Sequence, residues 1–306
     1  MEIFKQPNFD FVGKRKIAYL FSLFFILLGM VSLIVHRGGN WGIDFTGGVL
    51  VQLKFPEPIG SAEIRELLSA EGIARPFIQE VPHDNVVIIR VKEKGLNPDL
   101  IAEKLKRIFA THLLQNIPVI ERSELVGPVV GTYLIKAALK AFSFVFLGII
   151  IYVAIRFKGT IWGIAAVVAL LHDTFIVFGF LSLLNKEITL VVVAAILFLI
   201  GYSVNDTIVI FDRIRERLKM RLKENLAQVL NQGVNATLSR TLITSVTTLF
   251  VALALFIFGG AVIHDFAFVL GWGVIVGTYS SIFIASPLVY EWYKKFERSP
   301  AGQKKR

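Results

Sequence analysis

One aspartate, Asp206, lies deep inside a long apolar stretch of the sequence. An apolar run from about position 188 precedes it, and 208–211 continues the run after it. A carboxylate at the centre of a membrane-spanning helix costs about 3 kcal/mol on insertion scales, so it is expected to face a bundle interior or water and to have a partner. We interpret Asp206 as a carboxyl that binds and releases a proton or ion as its partner changes. A permanently paired structural aspartate is the alternative.

Arg240 is the candidate partner, because it belongs to a polar stripe on the next apolar helix. Thr237, Arg240, Thr244 and Thr247 are spaced i, i+3, i+7 and i+10 and therefore share one helical face. Hydroxyl groups in lipid need internal partners, so this face is expected to pack inward, against the helix of Asp206. An end-of-helix anchor whose charged head reaches the interface is the alternative for Arg240.

Further polar residues lie near this pair or in a neighbouring run. His172 and Asp173 lie near the middle of another apolar run, where the histidine either relays a proton or holds the aspartate in place. Asn205 precedes the buried aspartate and is a supporting candidate. Asp212 and Arg213 come at the end of the same run and are expected to form a boundary pair or a gate.

A glycine-rich motif, GIDFTGG, follows the first apolar run at 42–48. Its candidate residues are Gly42, Asp44, Gly47 and Gly48. We interpret it as a turn that supports a following strand, since glycine tolerates positive φ. It lacks the Gly-Lys-Ser/Thr ending of a phosphate-binding loop.

The elements that must position these residues are six apolar runs. The chain has 306 residues, of which 55% are hydrophobic, and a mean hydropathy of +0.65. Spanning a bilayer takes about 20 residues as a helix. The first run is interpreted as a retained helix, since no small-residue cleavage site follows it. The sequence therefore predicts a polytopic α-helical membrane protein with spanning helices at 17–35, 133–155, 161–184, 188–211, 241–258 and 266–290.

Between the first two runs, residues 36–132 have a mixed composition and are numerous enough for a small domain. The alternating stretches 48–55 and 85–92 indicate strands, and 61–71 and 98–114 indicate amphipathic helices. Shorter strand patterns fall at 77–81 and 119–125. The order β-α-β-β-α-β predicts a ferredoxin-like α+β domain.

The net charge of +10 has a distribution that predicts orientation. Basic residues concentrate in 1–16, in the turn between the second and third runs, in 212–240 and in 291–306, whereas the alternate loops are poor in them. By the positive-inside rule both termini are cytoplasmic and 36–132 is external, or periplasmic. This pattern explains the charge without nucleic acid. The basic stretch 213–223 is also suited to anionic lipid headgroups.

Several function classes lack their motifs. The chain has no cysteine, its five histidines lack zinc spacing, and no nucleophile, dinucleotide or ATP fingerprint occurs. We therefore expect no enzyme activity, no metal and no cofactor. A charge that crosses the membrane potential releases about 2.3 kcal/mol per 100 mV, and a buried carboxyl is suited to collect that energy.

Together the motifs resemble the SecD/SecF family of protein-export membrane proteins, relatives of the resistance-nodulation-division (RND) transporters. The resemblance covers essentially the whole chain. The length of the chain and its six predicted helices favour the SecF type over the larger SecD type. The stretches that carry it are 42–48 (GIDFTGG), 201–213 (GYSVNDTIVIFDR), 239–245 (SRTLITS) and the pair His172-Asp173.

The resemblance implies a subunit that pairs with SecD to give twelve helices and associates with the SecYEG channel in the cell inner membrane. The pair would use the proton or sodium motive force to promote export and release of a preprotein. The family's ion-pathway aspartate and arginine match Asp206 and Arg240, and Asp173 is a third candidate. Two alternatives stay open: an RND-type transporter of a drug or lipid, and a scaffold that moves nothing.

Overall fold

The structure is a computed structural model that describes residues 7–36, 38–73, 76–81, 85–92, 97–220 and 225–297. The predicted basic segments 1–16, 212–240 and 291–306 are therefore covered only in part, since 1–6, 221–224 and 298–306 lie outside the described residues. Six helices in the described chain are long and apolar enough to cross a membrane. The predicted fold class, six spanning helices with one α+β domain, is confirmed.

The elements follow one another in an order close to the prediction. In the described residues they are α1 (Arg15–Val35), α2 (Ile43–Thr46), β1 (Gly48–Lys54), α3 (Ser61–Ala70), β2 (Phe77–Val81), β3 (Val86–Val91), α4 (Pro98–His112), β4 (Val119–Val126), α5 (Pro128–Phe157), α6 (Thr160–Leu183), α7 (Leu190–Met220), α8 (Leu226–Phe258), α9 (Gly260–Ser280) and α10 (Ser286–Glu297).

Two spanning helices run further than their apolar runs predict. Helix α8 begins at Leu226 rather than near 241, and α7 continues to Met220 rather than ending near 211. Asn225 caps α8 by accepting a hydrogen bond from the backbone N–H of Ala227 at 3.1 Å. The added turns are amphipathic, with one buried face, so their mean hydropathy is low although they are helical.

The last spanning helix contains a π-helical turn at Ser281–Ala285, between α9 and α10. The hydroxyl of Ser286 donates to the carbonyl oxygen of Ser281 at 2.9 Å, across the widened turn. The sequence predicted one continuous helix here. Single π turns inside α-helices occur frequently at functional sites.

The α+β domain forms one antiparallel sheet in the order β2-β3-β1-β4. This order is two interleaved split β-α-β units, the ferredoxin-like arrangement. Alternate residues of β1, namely Val49, Val51 and Leu53, are fully buried against apolar residues of α3 and α4. The period-2 pattern of the strand thus fixes which sheet face the two helices cover.

Helices α1 and α6 approach each other closely at two glycines. A Cβ added to Gly29 would lie 2.7 Å from the Cα of Gly179. Small residues at such a crossing let two helix backbones come together in lipid. This crossing brings α1 against α6, the helix of His172 and Asp173.

Candidate ion site and its connection to the folded domain

Asp206 is a buried carboxyl with an unpartnered oxygen. Its residue is 5% exposed, and its Oδ2 atom has no hydrogen-bond partner among the described residues. The charge of Arg240 and the hydroxyls of Thr244 and Ser245, all on α8, act on this carboxyl. Asp206 and Arg240 form no ion pair within 4.0 Å in the described chain.

The polar stripe of α8 is buried over only part of its length in this chain. Thr237 is buried, but Arg240 and Thr247 are exposed on this chain. The hydroxyls of Thr244 and Thr247 also donate to carbonyls of their own helix. Asn205, next to Asp206, is exposed as well. The open side of the Asp206 site therefore lies on an uncovered face.

Asp173, in contrast, is fully hydrogen-bonded and 1% exposed. Its Oδ1 lies 3.0 Å from Nδ1 of His172. Its Oδ2 accepts hydrogen bonds from the hydroxyls of Ser203, on α7, at 2.8 Å and of Ser280, at the end of α9, at 2.9 Å. Asp173 therefore joins three helices of the bundle.

Both ring nitrogens of His172 are engaged. Nε2 of this histidine lies 2.9 Å from the hydroxyl of Ser22 on α1, and that hydroxyl lies 3.1 Å from the phenol oxygen of Tyr279. The network thus extends from α6 to α1 and α9. The sequence did not single out Ser22, Ser203 or Tyr279. Ser203 has one sequence signal, its position one helical turn before Asp206.

Helix α7 serves both carboxyls. Ser203 contacts Asp173, and Thr207 lies 2.8 Å from the hydroxyl of Ser281 in the π turn. Asp206, between them in sequence, faces α8 instead. Rotation or sliding of α7 would thus change both environments at once. Within the described ranges no group of three or more His, Cys, Asp or Glu residues is placed to hold a metal ion.

The residues predicted to form a boundary pair have different partners. Asp212 is exposed and lies 3.3 Å from Arg156, at the end of α5. Arg213 pairs with Glu216 on its own helix. The contact of Asp212 therefore ties α7 to α5.

The glycine motif contacts both the sheet and α7. Its residues Ile43–Thr46 form the short helix α2, where the sequence predicted a turn, and β1 follows directly. Oδ2 of Asp44 accepts a hydrogen bond from the N–H of Leu190, the first residue of α7, at 2.7 Å. Gly47 and Gly48 have φ of 77° and 149°. A Cβ at Gly48 would lie 2.5 Å from the carbonyl oxygen of Val91, so only glycine fits.

Glu187, in the loop between α6 and α7, is a site residue that the sequence did not indicate. It is fully buried, and its carboxylate oxygens lie 3.1 Å from Arg90 and 3.3 Å from Lys92, which belong to β3 and the residue after it. Burial raises the pKa of Glu187, and the charges of Arg90 and Lys92 oppose that rise. Its only sequence signal is one acidic residue in a short loop between two apolar runs.

These features define a class: a polytopic helical membrane protein that holds buried carboxyls in its bundle and carries a small α+β domain between its first two spanning helices. Residues 109–295 match the family described as "Protein export membrane protein SecD/SecF, C-terminal". Residues 32–55 match the "SecD/SecF GG Motif". The chain belongs to the SecD/SecF family of protein export membrane proteins.

Individual relatives agree with this assignment. The chain is 42% identical over 293 residues to the protein translocase subunit SecF of Endomicrobium trichonymphae, covering 95% of this chain and 94% of the relative. It is 46% identical over 297 residues to the SecF of Calditerrivibrio nitroreducens, covering 95% and 96%. The crystal structure of SecDF from Thermus thermophilus, a translocon-associated membrane protein, matches with a TM-score of 0.83 at 36% identity. That match covers 94% of this chain and 39% of the SecDF chain.

Proposed function

We propose that this chain is an auxiliary subunit of the Sec protein translocase. It pairs with a SecD-type subunit and uses the proton or sodium motive force to promote preprotein export through a SecYEG channel. The similarity to translocase subunits named SecF over nearly their whole length supports this function. The chain spans 39% of the solved SecDF chain, so the remainder of the working unit comes from the SecD partner.

The observation that carries the ion-coupled part is the unpartnered Oδ2 of Asp206. A carboxyl oxygen that is buried in a helical bundle and lacks a protein donor is costly unless it binds a proton or an ion. Arg240 lies across the α7–α8 interface and acts on the same carboxyl. We assign proton or sodium binding to Asp206, and to Arg240 the role of competing for the ionised carboxylate.

Asp173 has a different role in this proposal. Its three hydrogen-bonding neighbours fix its position, so it holds α6, α7 and α9 in register with each other. A change at Asp206 then reaches the rest of the bundle through α7. His172 holds Asp173 from the α6 side and ties it to α1.

The proposed orientation follows the distribution of basic residues, with both termini in the cytoplasm and the α+β domain outside the inner membrane. The uncovered face beside Asp206 and Asn205 is where we place the SecD partner. The external domain is the part of this chain that can reach an emerging preprotein.

The test is reconstitution of preprotein export. Vesicles that contain the channel and the SecD partner, with or without this chain, receive an imposed proton or sodium gradient of the same size. We expect the gradient to enhance export only when the chain is present. Equal export with and without the chain would contradict the function, and enhancement without any gradient would favour the scaffold alternative.

A further inference from the structure

The base of the α+β domain is fastened to the start of α7 by backbone hydrogen bonds. The N–H of Ile188 donates to the carbonyl oxygen of Asn40 at 2.7 Å, and the N–H of Gly42 donates to that of Ile188 at 2.8 Å. Trp41 and Ile188 thereby form a parallel β-bridge. The segment that leads into the domain and the segment that leads into α7 are thus paired like two strands.

We call this pairing of residues 40–42 with Ile188 the joint. Asp44 adds a side-chain contact to it. Helix α7 has 31 residues, and the first N–H groups of any helix lack partners within it. Asp44 supplies an acceptor for Leu190 from a distant part of the sequence, at 2.7 Å. Its negative charge also lies at the positive end of the α7 dipole. The domain thereby adds an acceptor at the start of the helix that carries Asp206, where the hydroxyl of Thr189 already accepts a hydrogen bond from the N–H of Val192 at 3.3 Å.

Glu187 fixes the sheet itself to the joint. Its buried carboxylate lies between Arg90 and Lys92, at 3.1 and 3.3 Å, and Nζ of Lys92 also donates to Oδ1 of Asn40 at 2.8 Å. The side chain of Arg90 is 11% exposed. Opening this contact would leave a buried charge uncompensated, which is strongly unfavourable.

The backbones at the joint are closely packed. A Cβ at Gly42 would lie 3.1 Å from the carbonyl oxygen of Ile188. A Cβ at Gly131, on α5, would lie 2.3 Å from the carbonyl oxygen of Phe45. The joint therefore also holds α2 against α5.

We propose that Asp44 and Glu187 are positioning residues that make the α+β domain and α7 one rigid body. A displacement of the domain then moves α7, and a change at Asp206 moves the domain. Asp206 lies 16 residues beyond Leu190, about 24 Å along the helix at 1.5 Å per residue. That this coupling serves ion-driven export rests on the proposed function, whereas the rigidity of the joint does not.

The rigidity is tested by a distance measurement that needs no export activity. The chain has no cysteine, so spin labels go to two introduced ones, Glu66→Cys on the exposed side of α3 and Phe198→Cys on α7, where Phe198 is 54% exposed. Pulsed electron paramagnetic resonance on the full chain in lipid nanodiscs then gives the distribution of distances between the labels.

We expect a single narrow distribution that Glu187→Lys broadens at least twofold, because the new charge repels Arg90 and Lys92. Glu187→Asp keeps the charge and should keep the distribution narrow. Glu121→Lys is the matched control, since Glu121 forms an exposed pair with Lys54 in the same sheet. A broad distribution in the unsubstituted chain, or one that Glu187→Lys leaves narrow, would overturn the proposal. If the lysine variant misfolds, Glu187→Gln replaces it, and we expect it to broaden the distance distribution as well.

A disulfide across the joint tests whether it stays closed during the cycle. Trp41→Cys with Ile188→Cys places two cysteines at the paired residues of the parallel bridge, and formation of the disulfide is checked before export is measured. We expect gradient-driven export to be the same within twofold before and after reduction of this variant. A tenfold rise on reduction would show that the joint must open and would overturn the rigid body.

Discussion

The hydroxyl of Ser203 donates a hydrogen bond to Oδ2 of Asp173 at 2.8 Å, across the α6–α7 interface. Three residues further along α7, Asp206 has an Oδ2 without a partner. Two carboxyls at similar depth thus have opposite surroundings. The hydrogen-bonded carboxyl of Asp173 suits a fixed structural contact, and the carboxyl of Asp206, with its unpartnered oxygen, suits reversible binding of a proton or ion.

Loss of the Ser203 hydroxyl should destabilise the bundle. Ser203→Ala removes one donor to a buried carboxyl and is expected to lower the free energy of unfolding by about 1–3 kcal/mol. Ser143→Ala is the matched control, because Ser143 is exposed on α5 and its hydroxyl donates to the carbonyl oxygen of Leu139 on the same helix. Denaturant titration in detergent micelles measures both variants. Equal stability of the two would argue against Asp173 as a structural hub.

The α1–α6 crossing should not accept a side chain. Gly179→Ala places a Cβ 2.9 Å from the Cα of Gly29, so the helices must separate, at a cost of about 1–3 kcal/mol. Gly148→Ala, on α5, meets no atom within 4 Å and should be neutral. Thermal unfolding of the two variants compares them. A Gly179→Ala protein as stable as the Gly148→Ala protein would refute this close contact.

The stability that Glu187 contributes should fall as the pH rises from acidic to neutral values. The pKa of Glu187 is raised in the folded protein. The group therefore contributes stability that is fully present below its pKa in the unfolded chain, about 4.3, and that is lost as the pH rises through the folded pKa. Glu187→Gln mimics the protonated form. The melting temperature of this variant minus that of the unsubstituted chain should be larger at pH 7.5 than at pH 4.5. A difference that grows on acidification would contradict this sign.

The orientation is tested by labelling single cysteines in intact cells. Glu66→Cys, on the domain, should react with a membrane-impermeant maleimide added outside the inner membrane. Lys219→Cys, near the end of α7, should react only after the membrane is opened, because basic flanks stay in the cytoplasm. The reverse pattern would invert the proposed topology.

Sequence patterns predicted the six helices and the order of the domain, because each depends on local periodicity and hydropathy. They placed the start of α8 near 241 because the turns from Leu226 are amphipathic rather than apolar. They gave no sign of Glu187 as a joint residue, since its partners Arg90 and Lys92 are nearly 100 residues away in sequence. The hydrogen bonds of Asp173 come from separate helices, and only the packed bundle brings them together.

The most direct test of the central claim is the effect of Asp206→Asn on gradient-driven export. Asparagine has the same size but cannot exchange a proton or attract a cation, so enhancement of preprotein export by an imposed gradient should fall at least tenfold at an unchanged level of membrane-inserted protein. Asp99→Asn, on the surface helix α4, is the control and should retain the enhancement of export by the gradient. Proton and sodium gradients imposed separately identify the coupling ion, and normal enhancement by both in Asp206→Asn would contradict the account.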